Sequence, residues 1–224
     1  MSARDEVFRA IRRSLGVTGD EAPRRAAVEA RLAQTPAGIV PRRGRGGPAE
    51  RLATFKAEAT RAQASLAEVA AAADAPAEVA RFLSANALPA TLRMGEDARL
   101  AAMPWEATGL AISRGPSDGH DANAVSVAFA GVAESGALAL VSGADNPTTL
   151  SFLPETHFVV LFAADLVGDY ESVFAKLRAA YGADPAPRTI NFIAGPSRSA
   201  DIEETLLIGA HGPRRLHIII VDQP

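Results

Sequence analysis

Two stretches of this chain, His157-Phe-Val-Val-Leu-Phe162 and Leu216-His-Ile-Ile-Ile-Val221, are almost unbroken apolar runs of strand length. A strand with one face in water alternates apolar and polar residues, so a run without alternation must be covered on both faces. Four further short runs share this texture: Ala90-Thr-Leu-Arg-Met94, Gly109-Leu-Ala-Ile-Ser113, Gly136-Ala-Leu-Ala-Leu-Val141 and Thr189-Ile-Asn-Phe-Ile-Ala194. Helical patterns separate most of them. After Pro76, Val79, Phe82 and Leu83 face inward, and between Asp169 and Tyr181 the residues Val173, Leu177 and Tyr181 share a face with Phe174 beside them. Strands alternating with helices predict an α/β fold: a Rossmann-like open, largely parallel sheet with helices on both faces. Ligands of such sheets bind beyond the carboxyl ends of the strands, so the loops after strands are where a site is sought.

The 224 residues suit one such domain with an N-terminal helical extension. Residues 1–16 read as an amphipathic helix, capped by Ser2 with Asp5, carrying Val7, Phe8, Ile11 and Leu15 on one stripe and ended by Gly16. Residues 17–48 hold Pro23, Pro36, Pro41 and Pro48 with Gly38, Gly44, Gly46 and Gly47, and read as a flexible Pro/Gly/Arg-rich linker. Residues 49–224 form the α/β domain. After Pro48, Leu52, Phe55, Ala59, Ala62, Leu66 and Val69 alternate steps of three and four, which predicts one helix running through Val69.

Composition excludes several classes of chemistry. With no cysteine the chain can hold no disulfide, thiolate zinc site, nucleophilic thiol or cysteine-ligated iron–sulfur cluster. No pair among His120, His157, His211 and His217 has metal-binding spacing, so no metal site is expected. No apolar run approaches the roughly 18 residues of a membrane span. The first residues mix both charge signs without the apolar core of a secretory signal, which points to the cytoplasm. Residues 1–61 carry 13 Lys and Arg against 7 Asp and Glu, and residues 62–224 carry 10 against 19. The basic cluster Arg42-Arg-Gly-Arg-Gly-Gly47 lacks interleaved aromatics and belongs to an acidic protein, so it reads as solvated linker rather than a nucleic-acid arm.

Three segments carry candidate chemistry. Gly195-Pro-Ser-Arg-Ser-Ala-Asp201 follows a strand and precedes an expected helix through Leu206-Leu-Ile208, with Asp201 and Glu204 at cap spacing. Gly195, Ser197, Arg198, Ser199 and Asp201 would then surround a small anion at the helix start; they serve equally well as a turn and its cap. In Gly209-Ala-His-Gly-Pro213, glycines around His211 leave an imidazole accessible as an acid/base or ligand-binding group, with Gly212 beside it. His217, with Ile219 and Val221 on its face, reads as a satisfied core or edge histidine, and His157 as the edge of its strand. In Gly131-Val-Ala-Glu-Ser-Gly136, Glu134 reads either as a nucleophile or base, or as an acceptor of backbone N–H groups in a tight turn. Asp118, His120 and Asp121 either reach the same crevice or form an ordinary polar loop, the reading preferred for such residues.

Ala133-Glu-Ser-Gly-Ala-Leu-Ala-Leu140, Leu150-Ser-Phe-Leu-Pro-Glu-Thr-His157, Gly195-Pro-Ser-Arg-Ser-Ala-Asp-Ile-Glu203 and Gly209-Ala-His-Gly-Pro-Arg-Arg-Leu-His217 together resemble the lactate utilisation protein C family, the LUD-domain proteins, in order and spacing. The resemblance implies a fold similar to the sugar-phosphate isomerase, CoA transferase and formyltetrahydrofolate cyclo-ligase group. It also implies a part in oxidising L-lactate to pyruvate alongside a cysteine-rich subunit and an iron–sulfur subunit, which would carry the clusters this chain cannot. The resemblance does not fix the molecular role; we read the chain as an accessory or ligand-binding subunit whose crevice around Glu134, Ser197, Arg198 and His211 takes a carboxylate, phosphate or nucleotide, with its cofactor unspecified. Within the same fold group, CoA transferases place a catalytic glutamate in a Glu-X-Gly turn that Glu134-Ser-Gly136 resembles. A stand-alone transferase or ligase acting on a CoA-linked or phosphorylated substrate is therefore the alternative.

Overall fold

The computed structural model describes residues 2–34, 38–182, 187–200 and 206–223. The chain divides into two units, Met1–Ile39 and Val40–Pro224. In the first, α1 (Ala3–Leu15) begins with the expected capping box: the Asp5 N–H donates to Ser2 Oγ at 3.3 Å and the Ser2 N–H to Asp5 Oδ2 at 3.0 Å. Gly16 ends it in a left-handed conformation. Val7, Phe8, Ile11 and Leu15 are exposed along it. A second helix, α2 (Ala22–Gln34), occupies part of the stretch read as linker. Just ahead of α2, the Glu21 carboxylate accepts the N–H groups of Thr18 and Gly19 at 2.6 and 3.1 Å, and these bonds, chiefly that from Thr18, hold its pKa down to about 2. The sequence hid α2 because its apolar residues are mostly alanines, which favour helix without marking a stripe.

The second unit runs in the order α3 (Pro48–Arg61), β1 (Ser65–Ala71), α4 (Ala75–Ala85), β2 (Thr91–Met94), α5 (Ala98–Ala101), β3 (Ala111–Arg114), β4 (Asn123–Val127), β5 (Ala130–Val132), β6 (Ala137–Val141), β7 (Thr156–Phe162), β8 (Leu166–Val167), α6 (Tyr170–Tyr181), β9 (Ile190–Ile193), β10 (Arg198–Ala200), β11 (Leu206–Ile208) and β12 (Arg215–Gln223). A six-stranded parallel sheet has the order β1-β12-β7-β4-β2-β3. This is the open α/β sheet that the two apolar runs demand. Val125, Phe158, Val160, Ile219 and Val221 point to one face, against Val79 and Leu83 of α4. Their neighbours Val159, Leu161, Ile218 and Ile220 point to the other, against Phe55 and Ala59 of α3 and Leu138 and Leu140 of β6. Each such side chain contributes about 1.5–3 kcal/mol by leaving water, and both faces contribute.

Three expectations are corrected. The helix predicted through Val69 stops at Arg61, and Leu66 and Val69 belong to β1, paired with β12. The stop is a Schellman turn: the Ala64 N–H donates to Ala59 O at 3.0 Å and the Gln63 N–H to Thr60 O at 2.8 Å, with Gln63 at φ 68. Glutamine in the position that glycine usually fills leaves no mark in the sequence. Second, the runs at Gly136 and Thr189 do not join the parallel sheet. They form β6 and β9, antiparallel neighbours in a separate sheet ordered β8-β5-β6-β9, whose other face carries Ala137 and Ala139 against Val173 and Leu177 of α6. Third, Leu206–Ile208 is not a helix but β11, antiparallel to β10.

Candidate functional site

Two segments of chain build the site, one of them entering the parallel sheet at β12. The chain before β12 and the chain between β9 and β10 are fastened together through Ser197. The Ser197 N–H donates to Pro213 O at 2.8 Å, Ser197 O accepts from the Gly209 N–H at 3.0 Å, and Ser197 Oγ accepts from the His211 N–H at 3.3 Å. Ser197 is thus a brace that fixes where its neighbours stand. Gly195 enters this loop at φ 80, where an added Cβ would lie 2.1 Å from the Ala62 carbonyl oxygen at the end of α3, so only glycine fits.

The result is a cleft of about 300 Å³ lined by Ser151, Phe152, Phe192, Arg198, Ser199 and His211, among others. A neighbouring hollow of about 490 Å³ shares Phe152, His211 and Gly212 and extends past Leu153, Ile208 and Arg214. Arg198 and His211 are exposed, and no described carboxylate pairs with the Arg198 guanidinium. Gly195, Ser197, Arg198, Ser199, His211 and Gly212 therefore come together. Asp201 and Glu204 lie outside the described residues. Among the described residues the loop leads into β10, which pairs antiparallel with β11.

Glu134 does not line this cleft. It is 5% exposed, and its turn packs on the loop before α6. Its N–H donates to Gly168 O at 3.0 Å, its Oε1 accepts from the Tyr170 N–H at 3.3 Å, and its Oε2 is buried without a hydrogen-bond partner. Ser135 Oγ lies 2.9 Å from the Tyr170 hydroxyl. Gly136, at φ 67, allows contact with α3, since a Cβ there would come within 2.3 Å of the Ala59 nitrogen.

His217 is a satisfied core histidine, with Nδ1 2.8 Å from Ser65 Oγ, Nε2 3.1 Å from Glu78 Oε1, and its ring against Phe82 and Phe158. Burial pushes its pKa down against the pull of Glu78. His157 is fully buried with Nε2 3.0 Å from Ser126 Oγ, and desolvation lowers its pKa to about 3. Asp121 accepts from Arg93 Nε at 3.0 Å, while Asp118 and His120 pair with each other in solvent. Among the described residues no group of three His, Asp or Glu side chains could hold a metal ion. No helix of the described residues is long and apolar enough to cross a membrane. Sequence reasoning passed over Phe152 and Phe192 as site residues, although Phe152 stands inside the Leu150 to His157 motif.

The LUD domain family model matches residues 122–221, which include every cleft residue named above. That segment is similar to the LUD domain. Lactate utilization protein C of Halalkalibacterium halodurans is 41% identical over 93 residues, 41% of this chain and 40% of that protein. Lactate utilization protein C of Shouchella clausii is 37% identical over 91 residues, and that of Geobacillus kaustophilus 33% over 114 residues, 50% of this chain and 48% of that protein. The chain spans about 40% of the length of the first two relatives. The crystal structure of a DUF162 family protein from Deinococcus radiodurans matches with a TM-score of 0.56 at 23% identity, covering 79% of this chain and 99% of that one, a likeness of fold. The α/β architecture thus agrees with a solved neighbour.

Proposed function

We propose that this protein is an accessory, ligand-binding subunit of a cytoplasmic system that oxidises L-lactate to pyruvate, with the cleft at Arg198 and His211 taking a small anionic ligand. The observation that carries the reading is an exposed guanidinium, without a carboxylate partner among the described residues, standing over a braced cleft inside the segment similar to the LUD domain. A charge-assisted bond from Arg198 to a carboxylate or phosphate is geometrically specific, and the brace at Ser197 holds the donor loop ready. The relatives named lactate utilization protein C support a part in lactate utilization. Electrons leaving lactate need a redox group, a chain without cysteine holds no cysteine-ligated cluster, and the reading gives that task to the cysteine-rich and iron–sulfur subunits that the resemblance implies. The alternative, a transferase acting through Glu134, needs a carboxylate that substrate can reach, and Glu134 is buried behind its own turn.

Deletion of the gene should impair growth on L-lactate in a strain without another lactate oxidase, and the purified chain should show no lactate dehydrogenase activity. Arg198→Ala and His211→Ala should reproduce the growth defect with folded protein present. Normal growth of the deletion strain refutes the pathway, and normal growth of both point variants refutes the site.

A further inference from the structure

The cleft is larger and more aromatic than a three-carbon acid requires. About 300 Å³, opening into a neighbour of about 490 Å³, falls in the range of sites that hold a drug-sized organic molecule. Phe152 is 40% exposed and Phe192 36% exposed, and both line the same cleft as Arg198. Phe192 is held from behind: its ring meets Tyr170 edge-on at 5.0 Å and Phe174 at 6.0 Å. A phenyl ring fixed by two others and left open in a cleft is a ready stacking platform, since a planar ring system laid on it loses little freedom. The charge agrees. Arg198 and Arg214 line the two hollows against one carboxylate, Glu155, in a stretch of chain that is otherwise acidic.

We propose that the cleft binds a planar aromatic anion of nucleotide type, its rings against Phe152 and Phe192 and its phosphate at Arg198. This deepens the reading of the cleft as an anion site and rests on it. Ser199 and His211 flank the phosphate, and the 490 Å³ hollow accommodates whatever extends beyond it.

The test titrates the full chain by calorimetry with AMP, flavin mononucleotide, inorganic phosphate and L-lactate. The proposal expects AMP or flavin mononucleotide to bind at least about tenfold more tightly than phosphate or lactate. Phe152→Ala and Phe192→Ala should each weaken that binding about tenfold while leaving phosphate unchanged, and Phe192→Tyr should restore it. Arg198→Ala should weaken nucleotide and phosphate together. Should Phe192→Ala fail to fold by circular dichroism, Phe152→Ala, on an exposed turn, carries the test. The proposal is overturned if neither nucleotide binds at millimolar concentration, if lactate or phosphate binds as tightly, or if the phenylalanine variants bind normally. Normal growth of the deletion strain on lactate would remove the pathway and leave these titrations unaffected, so the two failures are distinguishable.

Discussion

The two edges of the six-stranded sheet are built differently. At the carboxyl edge, β4 and β7 run directly into β5 and β8, so a second sheet stands where ligands of open α/β sheets usually bind. What stays open there is a groove of about 410 Å³ between the start of α3 and the ends of β7 and β12, lined by Arg51, Leu52, Ala163 and Asp222, among others. At the amino edge, the loops entering β7 and β12 border the braced cleft. The strands differ along their length too. The buried polar residues Asn123, Thr156, His157 and His217 lie toward the amino ends of β4, β7 and β12, whereas the buried residues Val160, Leu161, Ile219, Ile220 and Val221 toward the carboxyl ends of β7 and β12 are apolar. A fold-level rule therefore finds the architecture, yet at the edge it points to the chain's own second sheet has taken the customary place, and the proposed cleft lies at the other edge.

Four measurements can break or sharpen this contrast. The largest effect belongs to the junction of the second sheet. Gly136→Ala, at positive φ with its Cβ against the α3 backbone, should cost about 3 kcal/mol or more in urea unfolding; a loss under about 1 kcal/mol would show that the turn is not wedged on α3.

Next is the pH response of the amino half. The buried His157 has a folded pKa near 3 against an ordinary 6.5, so the unfolded chain binds the extra proton as pH falls. Stability is full above about pH 6.5 and declines below it, by about 2 kcal/mol for this histidine between pH 7 and pH 5. His217 shifts in the same direction. In His157→Gln the slope should shrink by that amount, and an unchanged slope would place the titration elsewhere.

Third, Arg198→Ala should weaken phosphate or AMP binding about tenfold while Arg51→Gln, in the carboxyl-edge groove, leaves it unchanged; the reverse pattern would move the site to the other edge. The smallest effect concerns the turn that hid β1. Gln63→Gly relieves a left-handed glutamine and should stabilise the fold by about 0.5 kcal/mol, read as a small rise in Tm.

Elements announced by local chemistry were legible: the Ser2 cap of α1, the Asp169 cap of α6 and the unbroken runs of β7 and β12. What stayed hidden depends on partners distant in sequence. β6 and β7 look alike as apolar runs, yet one lies in the antiparallel sheet and the other at the centre of the parallel one. β1 is rich in alanine and becomes a strand because β12 supplies a parallel neighbour. β4, buried throughout, was masked by the polar loop before it. At the site, the segments around Arg198 and His211 were legible as loops, but their union through Ser197 was not. Nor was the separation of Glu134, which follows from a turn packed on Tyr170.

The last turn of α3 receives both glycine turns, Gly136 at Ala59 and Gly195 at Ala62. Sequence change at these places is therefore not free to accumulate independently. A shift of this helix end would reach the Glu134 turn and the segment leading to Arg198 at once, and paired substitutions at Gly136 and Gly195 should depart from additivity. One span of helix backbone thus ties a buried turn to an open cleft.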